Sequence, residues 1–166
     1  MNALVEPLLR TAPSQPSVTA TTPRRRDARG RFAGAGGSPQ HRERVLFVAS
    51  EMADFIKAGG LGDVAASLPR ALRSGCDVRV LIPGYPAVLE RLPQLQPVGV
   101  IAPRAGLPEC VLACTEQGDG LPIYVLLNAA LFEREGSPYV DEQGAEWPDN
   151  ALRFATLAHA AAEIAA

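Results

Sequence analysis

Arg44-Val45-Leu46-Phe47-Val48-Ala49, leading through Ser50-Glu51 into Lys57-Ala58-Gly59-Gly60-Leu61-Gly62-Asp63, is the stretch on which the fold turns. After Arg44 the run to Ala49 is continuously apolar and carries β-branched residues, the pattern of a parallel strand buried on both faces. Beyond the glycines, Asp63 to Arg73 places apolar residues at Val64, Leu68, Ala71 and Leu72, a helical period that Gly75 closes as a C-terminal cap. Pro69 falls inside this segment and predicts a kink, or a helix whose first turn lies nearer the proline. Asp77 to Ile82 reads as a second strand, stopped by Pro83-Gly84. Strand, loop, helix and strand in this order make a βαβ unit with a right-handed crossover, and so an α/β fold with a parallel sheet and flanking helices.

Working outward, further strands are expected at Val98–Ile101, Val111–Cys114 and Ile123–Leu127. The segment Leu131–Pro148 is rich in turn formers and reads as a long ordered loop. Asp149 then caps a final helix whose apolar residues Leu152, Ala155, Ala158, Ala162 and Ala165 recur at helical spacing.

In open sheets of this kind ligands bind beyond the carboxyl ends of the strands, and the loop after the first strand is a usual phosphate seat. The glycine loop occupies that place. Glycines let the backbone approach an anion without an intervening Cβ, and amides at a helix start carry partial positive charge. Lys57, the only lysine beside fifteen arginines, adds a compact point charge suited to a phosphate. The spacing fits neither common nucleotide fingerprint. Lys57 precedes the glycines instead of following them, and Gly59-Gly60-Leu61-Gly62 is not G-x-G-x-x-G.

The near-neutral net charge of −2 conceals two unlike parts. Residues 1–44 carry eight arginines against Glu6, Asp27 and Glu43, a balance of +5, whereas residues 45–166 carry eight bases against fifteen acids, a balance of −7. Residues 1–43, rich in Arg, Ser, Pro and Gly, lack the apolar content to offset their ordering entropy and are expected to form a disordered tail. Its run Arg24-Arg25-Arg26-Asp27-Ala28-Arg29-Gly30-Arg31 reads as a solvated basic extension, since only Phe32 accompanies it as an aromatic, and no nucleic-acid partner is expected. The same composition also resembles an organelle transit peptide. No apolar stretch approaches the roughly 18 residues of a membrane span. Cys76, Cys110 and Cys114 are expected as free thiols, and with only His41 and His159 no zinc spacing is present. His159 reads as structural.

Val45-Leu46-Phe47-Val48-Ala49-Ser50-Glu51-Met52, with Lys57-Ala58-Gly59-Gly60-Leu61-Gly62-Asp63-Val64, resembles the amino-terminal signature of bacterial glycogen synthases and plant starch synthases. Gly136-Ser137-Pro138-Tyr139, Asp149-Asn150-Ala151-Leu152-Arg153-Phe154 and Val78-Arg79-Val80-Leu81-Ile82-Pro83 agree with it. Ala58 departs from the usual threonine. The resemblance covers residues 44–166 and implies a partial, Rossmann-like amino-terminal domain of a two-domain GT-B glycosyltransferase. Such enzymes transfer glucose from ADP-glucose to the non-reducing end of an α-1,4-glucan with retention, need no metal or other cofactor, and work in the bacterial cytoplasm or the plastid. The short tail favours the bacterial case.

The resemblance implies that Lys57 contacts the sugar nucleotide while Gly59 and Gly60 let the loop close over this donor. Glu51, just past the first strand, would orient the donor loop or the sugar's polar groups, or else pair with a nearby base. Tyr139 would stack on a ring of the glucan acceptor, or else pack within its loop. Asp63 is expected to support the helix start. The family's His-Asp-Trp-His stretch and its carboxyl-terminal domain do not occur, so no catalytic residue is assigned and the chain alone is expected to be inactive. A non-catalytic remnant that binds a nucleotide sugar or glucan is the alternative, and relatives with similar loops use UDP-glucose.

Overall fold

The computed structural model describes residues 42–166; residues 1–41 of the expected basic tail lie outside them. Nine elements follow in order: β1 (Arg44–Val48), α1 (Gly60–Leu72), β2 (Asp77–Pro83), α2 (Pro86–Arg91), β3 (Gln96–Ile101), β4 (Cys110–Glu116), β5 (Pro122–Leu127), α3 (Ala129–Phe132) and α4 (Asn150–Ala165). The expected strands are present, each within a few residues of its predicted span. They form one sheet in the order β1-β2-β5-β4-β3.

β1, β2 and β5 run parallel, with Val45 opposite Val78 and Leu81 opposite Tyr124. The sheet is mixed, however, because β4 pairs antiparallel with both β5 and β3. Chain length explains this. The connections 102–109 and 117–121 are too short for a crossover helix, so each strand must turn back on its neighbour. Burial on both faces belongs to β2, where Val80, Leu81 and Ile82 are fully buried, whereas β1 is half-buried at the sheet's edge among the described residues. Ile123, Val125 and Leu126 of β5 and Phe132 of α3 complete the centre of the core.

β2 stops where expected. A Cβ on Gly84 would stand 2.8 Å from Leu127 Cδ2 and 3.3 Å from the Leu126 carbonyl oxygen, so a larger residue would have to displace Leu127 where the chain leaves β2 beside β5. Tyr85 follows, and Pro86 opens α2 at a position where its missing N–H has no intrahelical partner to lose.

Two helices differ in face from their apolar spacing. α1 starts earlier than expected, at Gly60, and continues through Pro69 as a single element. Its buried residues are Gly62, Ala65 and Pro69, while Leu61, Val64 and Leu68 remain 45%, 48% and 40% exposed. Small residues allow the helix to lie close to the sheet, which a ranking by hydrophobicity overlooks. Its C-cap is Arg73 in the right-handed region, and Gly75 lies in the turn beyond, donating its N–H to the Leu72 carbonyl at 3.0 Å. In α4, Arg153, Thr156, Leu157 and Ala160 are buried, and of the expected stripe only Leu152 packs on the core. Asp149 stands at the N-cap position, but its side chain makes no capping bond.

The α1 packing has a measurable consequence. Ala65→Leu should lower the stability of the chain by about 1–3 kcal/mol through overpacking, whereas Leu68→Ser should stay within about 0.5 kcal/mol of the parent. Urea denaturation followed by circular dichroism decides it: a larger loss at Leu68 would put the other face of α1 against the sheet.

Candidate functional site

Because β1, β2 and β5 are parallel, their carboxyl ends bring three segments to one edge: the loop 49–59, the turn at Gly84-Tyr85, and the stretch from Asn128 to Asp149. This is the edge at which an open α/β sheet binds ligands. A cleft of about 180 Å³ lies there, lined by Ile56, Tyr85, Pro86, Arg134, Gly136 and Ser137 among others. A larger hollow of about 450 Å³ sits at the opposite end, beside Arg44 and Asp77 where β1 and β2 begin, away from Lys57.

Glu51 is 2% exposed. One of its oxygens accepts the Ala58 N–H, and the Gly59 N–H at 3.0 Å. Its partners are therefore backbone amides, not a base, and its position is inside the glycine loop. The loop is braced from outside as well. Met52 and Ile56 form a bridge, and the Ala53 N–H reaches the Gly62 carbonyl at 3.0 Å. Arg91 donates to the Asp54 and Phe55 carbonyls at 2.7 and 2.6 Å. Arg70 forks onto Asp54 at 2.8 and 3.1 Å and also reaches Asp119 at 2.6 Å, holding the Asp119 carboxyl below the usual range.

On this rigid loop Lys57 points its ammonium to Asp63 Oδ2, 2.7 Å away, with the two side chains 50% and 62% exposed. Asp63 thus sits in the first turn of α1, as expected, and neutralises the lysine. Exposed pairs of this type contribute about 0–1 kcal/mol, so an incoming phosphate could displace Asp63 at little cost.

The glycines divide in role. Gly59 is the N-cap of α1 with φ −154°, ordinary extended backbone, and its amide is taken by Glu51. A Cβ on Gly60 would meet nothing within 4 Å. The fold supplies no internal reason for glycine at position 60, while the approach of a ligand would supply one. With Ala58 and Gly59 engaged, the amides open to an anion are those of the first turn of α1, which lack acceptors within the helix.

Tyr139 reaches the same edge from the other side. Its hydroxyl lies 2.7 Å from Ser50 Oγ, and its ring is tilted against Phe154 at 5.9 Å. Burial raises the phenol's pKa, partly offset by the Ser50 contact. The loop has its own glycine requirement: Gly136 has φ +114°, and a Cβ there would stand 2.8 Å from the Val140 carbonyl oxygen.

The most deeply buried charge is Arg153, 1% exposed, which the sequence reading quoted within a motif but gave no role. It donates to the carbonyls of Leu131 and Pro138 at 2.8 and 2.9 Å and to Asn150 Oδ1 at 2.8 Å. The rings of Tyr85, Phe132, Trp147 and Phe154 surround its guanidinium at 5.7 to 6.0 Å. Desolvation lowers its pKa, and burial raises that of the neighbouring Tyr85, whose hydroxyl has no hydrogen-bond partner. The signal for Arg153 was its position as the one arginine in a helix of small and apolar residues.

The remaining expectations lie elsewhere. His159, on α4, faces the exit of β3, with Nε2 3.2 Å from the Ala102 carbonyl oxygen. Cys110 is buried, Cys76 and Cys114 are half-buried, and all three are free. Burial pushes the Cys110 and Cys114 thiols up. Among the described residues no group of three metal-ligating side chains converges, and no helix is long and apolar enough to cross a membrane.

Comparison with known proteins matches residues 44–166 to the starch synthase catalytic domain. The chain belongs to that family. A glycogen synthase of Xanthomonas euvesicatoria pv. vesicatoria is 61% identical over 153 residues, 86% of this chain and 29% of that protein. Another from Xanthomonas axonopodis pv. citri is 66% identical over 121 residues, covering 73% of this chain and 26% of its own length. One from Pseudomonas aeruginosa is 53% identical over 127 residues, covering 76% and 25%. The chain therefore spans less than a third of the length of these relatives. All the site segments described above, from Ser50 to Arg153, fall within the starch synthase match.

One ion pair holding the Tyr139 segment makes its stability depend on pH. Arg134 forks onto Asp149 at 2.9 and 2.7 Å and holds its carboxyl below the usual value. A depressed folded-state pKa stabilises above the unfolded value of about 3.9, and the contribution disappears as pH falls through the folded value. Asp149→Asn should cost about 1 kcal/mol at neutral pH. The gap in melting temperature should hold from about pH 7 down to about pH 4 and narrow as pH falls further toward the depressed folded value; a gap that stays constant below that would mean the carboxylate's charge is not what holds the loop.

Proposed function

We propose that this chain supplies the donor-loop wall of a retaining glucosyltransferase that moves glucose from ADP-glucose to the non-reducing end of an α-1,4-glucan, in bacterial glycogen synthesis. The observation that carries this reading is the rigid loop presenting Lys57 at the carboxyl edge of the sheet, in a chain 61% identical to a protein named glycogen synthase. When the bond from glucose to the diphosphate breaks, negative charge grows on the departing diphosphate. Lys57 exchanges Asp63 for that phosphate, and the first-turn amides of α1 add their partial charges. Gly59 and Gly60 keep the approach open. Glu51 shapes the loop from below, and Tyr139 receives a glucan ring on the opposite side.

On this reading the diphosphate needs more cationic groups than these residues offer, since Lys57 is already offset by Asp63. The bacterial relatives support a cytoplasmic setting. No metal enters the scheme.

The test joins this chain to the remaining part of the Xanthomonas euvesicatoria glycogen synthase. The fusion should release ADP from ADP-glucose in the presence of glycogen and prefer it to UDP-glucose, while the 166-residue chain alone should release none. Lys57→Gln in the fusion should lower kcat/KM by about ten- to a hundredfold, the worth of one charge-assisted contact, with the melting temperature unchanged. An inactive fusion whose chain still binds ADP-glucose would favour a non-catalytic binding remnant. A UDP-glucose preference would overturn the donor assignment.

A further inference from the structure

Ser50 and Glu51 are consecutive at the exit of β1, and while the Glu51 carboxylate also faces the Tyr139 hydroxyl, the close hydrogen bonds of the two side chains go to different loops. Glu51 holds the amides of Ala58 and Gly59, on the donor side. Ser50 holds the hydroxyl of Tyr139, 89 positions along the chain, at 2.7 Å. The dipeptide therefore braces both loops from one point on the sheet.

The backbone around Tyr139 is secured independently of Ser50. Its N–H donates to Ser137 Oγ at 3.2 Å, and its carbonyl accepts from the Asn150 side chain at 2.8 Å and the Trp147 N–H at 3.3 Å. The preceding carbonyl, of Pro138, is held by Arg153. What these contacts leave undetermined is the tip of the phenol. Phe154 flanks the ring on one side, and Ser50 supplies the hydrogen bond to its hydroxyl.

We propose that Ser50 is a positioning residue for acceptor binding: its hydroxyl fixes the half-buried phenol of Tyr139 so that the ring presents one set face to a glucan. This rests on the reading in which Tyr139 meets the acceptor. Deleting the Ser50 hydroxyl leaves the loop backbone in place but releases the ring, so affinity for glucan falls while the fold persists. A strut that served only stability would behave otherwise, lowering the melting temperature without a selective loss of glucan binding.

Trp147 is the only tryptophan of the chain and lies in the same loop, its indole N–H donating to the Ser137 carbonyl at 3.1 Å. Its fluorescence reports maltoheptaose binding to the 166-residue chain directly. Ser50→Ala should weaken maltoheptaose about fivefold, the worth of one hydrogen bond, with ADP-glucose affinity and melting temperature unchanged. Ser50→Thr should restore binding. Ser50→Ala combined with Tyr139→Phe should bind no more weakly than Tyr139→Phe alone, because both remove the same bond. Equal maltoheptaose affinity in Ser50→Ala and the parent overturns the role of Ser50 only, and so does a parallel loss of ADP-glucose affinity. A parent chain that binds ADP-glucose but no maltoheptaose overturns Tyr139 as the acceptor contact, and the proposal with it.

Discussion

A carboxylate withdrawn from water must be satisfied by the protein, and the buried Glu51 imposes that condition on everything around Lys57. The solution is local and economical. The chain doubles back over the exit of β1 so that the amides of Ala58 and Gly59 point at the acid, and α1 begins immediately afterwards at Gly60. The position of Lys57 and the starting point of α1 both follow from this bend. A loop closed on an internal carboxylate is stiff, which on the proposed reading suits a lysine that meets a phosphate.

The opposite wall is organised by a charge of the other sign. Arg153 has no carboxylate within hydrogen-bonding distance, and its donors end on two main-chain carbonyls and one amide oxygen. A guanidinium tolerates this better than an ammonium would, because its charge is delocalised, weakly hydrated and able to lie against aromatic faces. By gripping both Leu131 and Pro138 from α4, it gathers the ends of an irregular segment that has few apolar contacts of its own. Two buried charges thus set two loops, and the Ser50–Tyr139 hydrogen bond joins them.

Much of this was legible in one dimension. The apolar runs marked β1, β2 and β5, and Pro83-Gly84 ended β2 for a reason the structure makes explicit, the close passage of Gly84 by Leu126 and Leu127. Lys57 after the first strand marked the edge at which the candidate site lies. The helix faces were not legible in the same way. Apolar spacing pointed to Val64 and Leu68 in α1 and to the alanines at 155, 158, 162 and 165 in α4, yet the buried residues are Gly62, Ala65 and Pro69 in one and Arg153, Thr156, Leu157 and Ala160 in the other. Close approach of a helix selects small residues, and an arginine whose donors meet neutral oxygens can be buried; a hydrophobicity pattern registers neither. The turn of β4 against β5 was within reach, because the segment 117–121 is too short for a crossover.

By itself, the sequence determined the strands, the βαβ unit, the family to which residues 44–166 belong and the place of Lys57 along the chain. These rest on periodicity, on glycine and proline stereochemistry and on motif spacing, all properties of neighbouring residues. Only the tertiary structure decided which group answers which: Asp63 on Lys57, backbone amides on Glu51, Arg153 on the Tyr139 loop, and Ser50 on Tyr139. Hydrogen bonds and ion pairs act within a few ångströms, and which polar groups come within that range depends on how distant segments pack, with no local pattern to announce it.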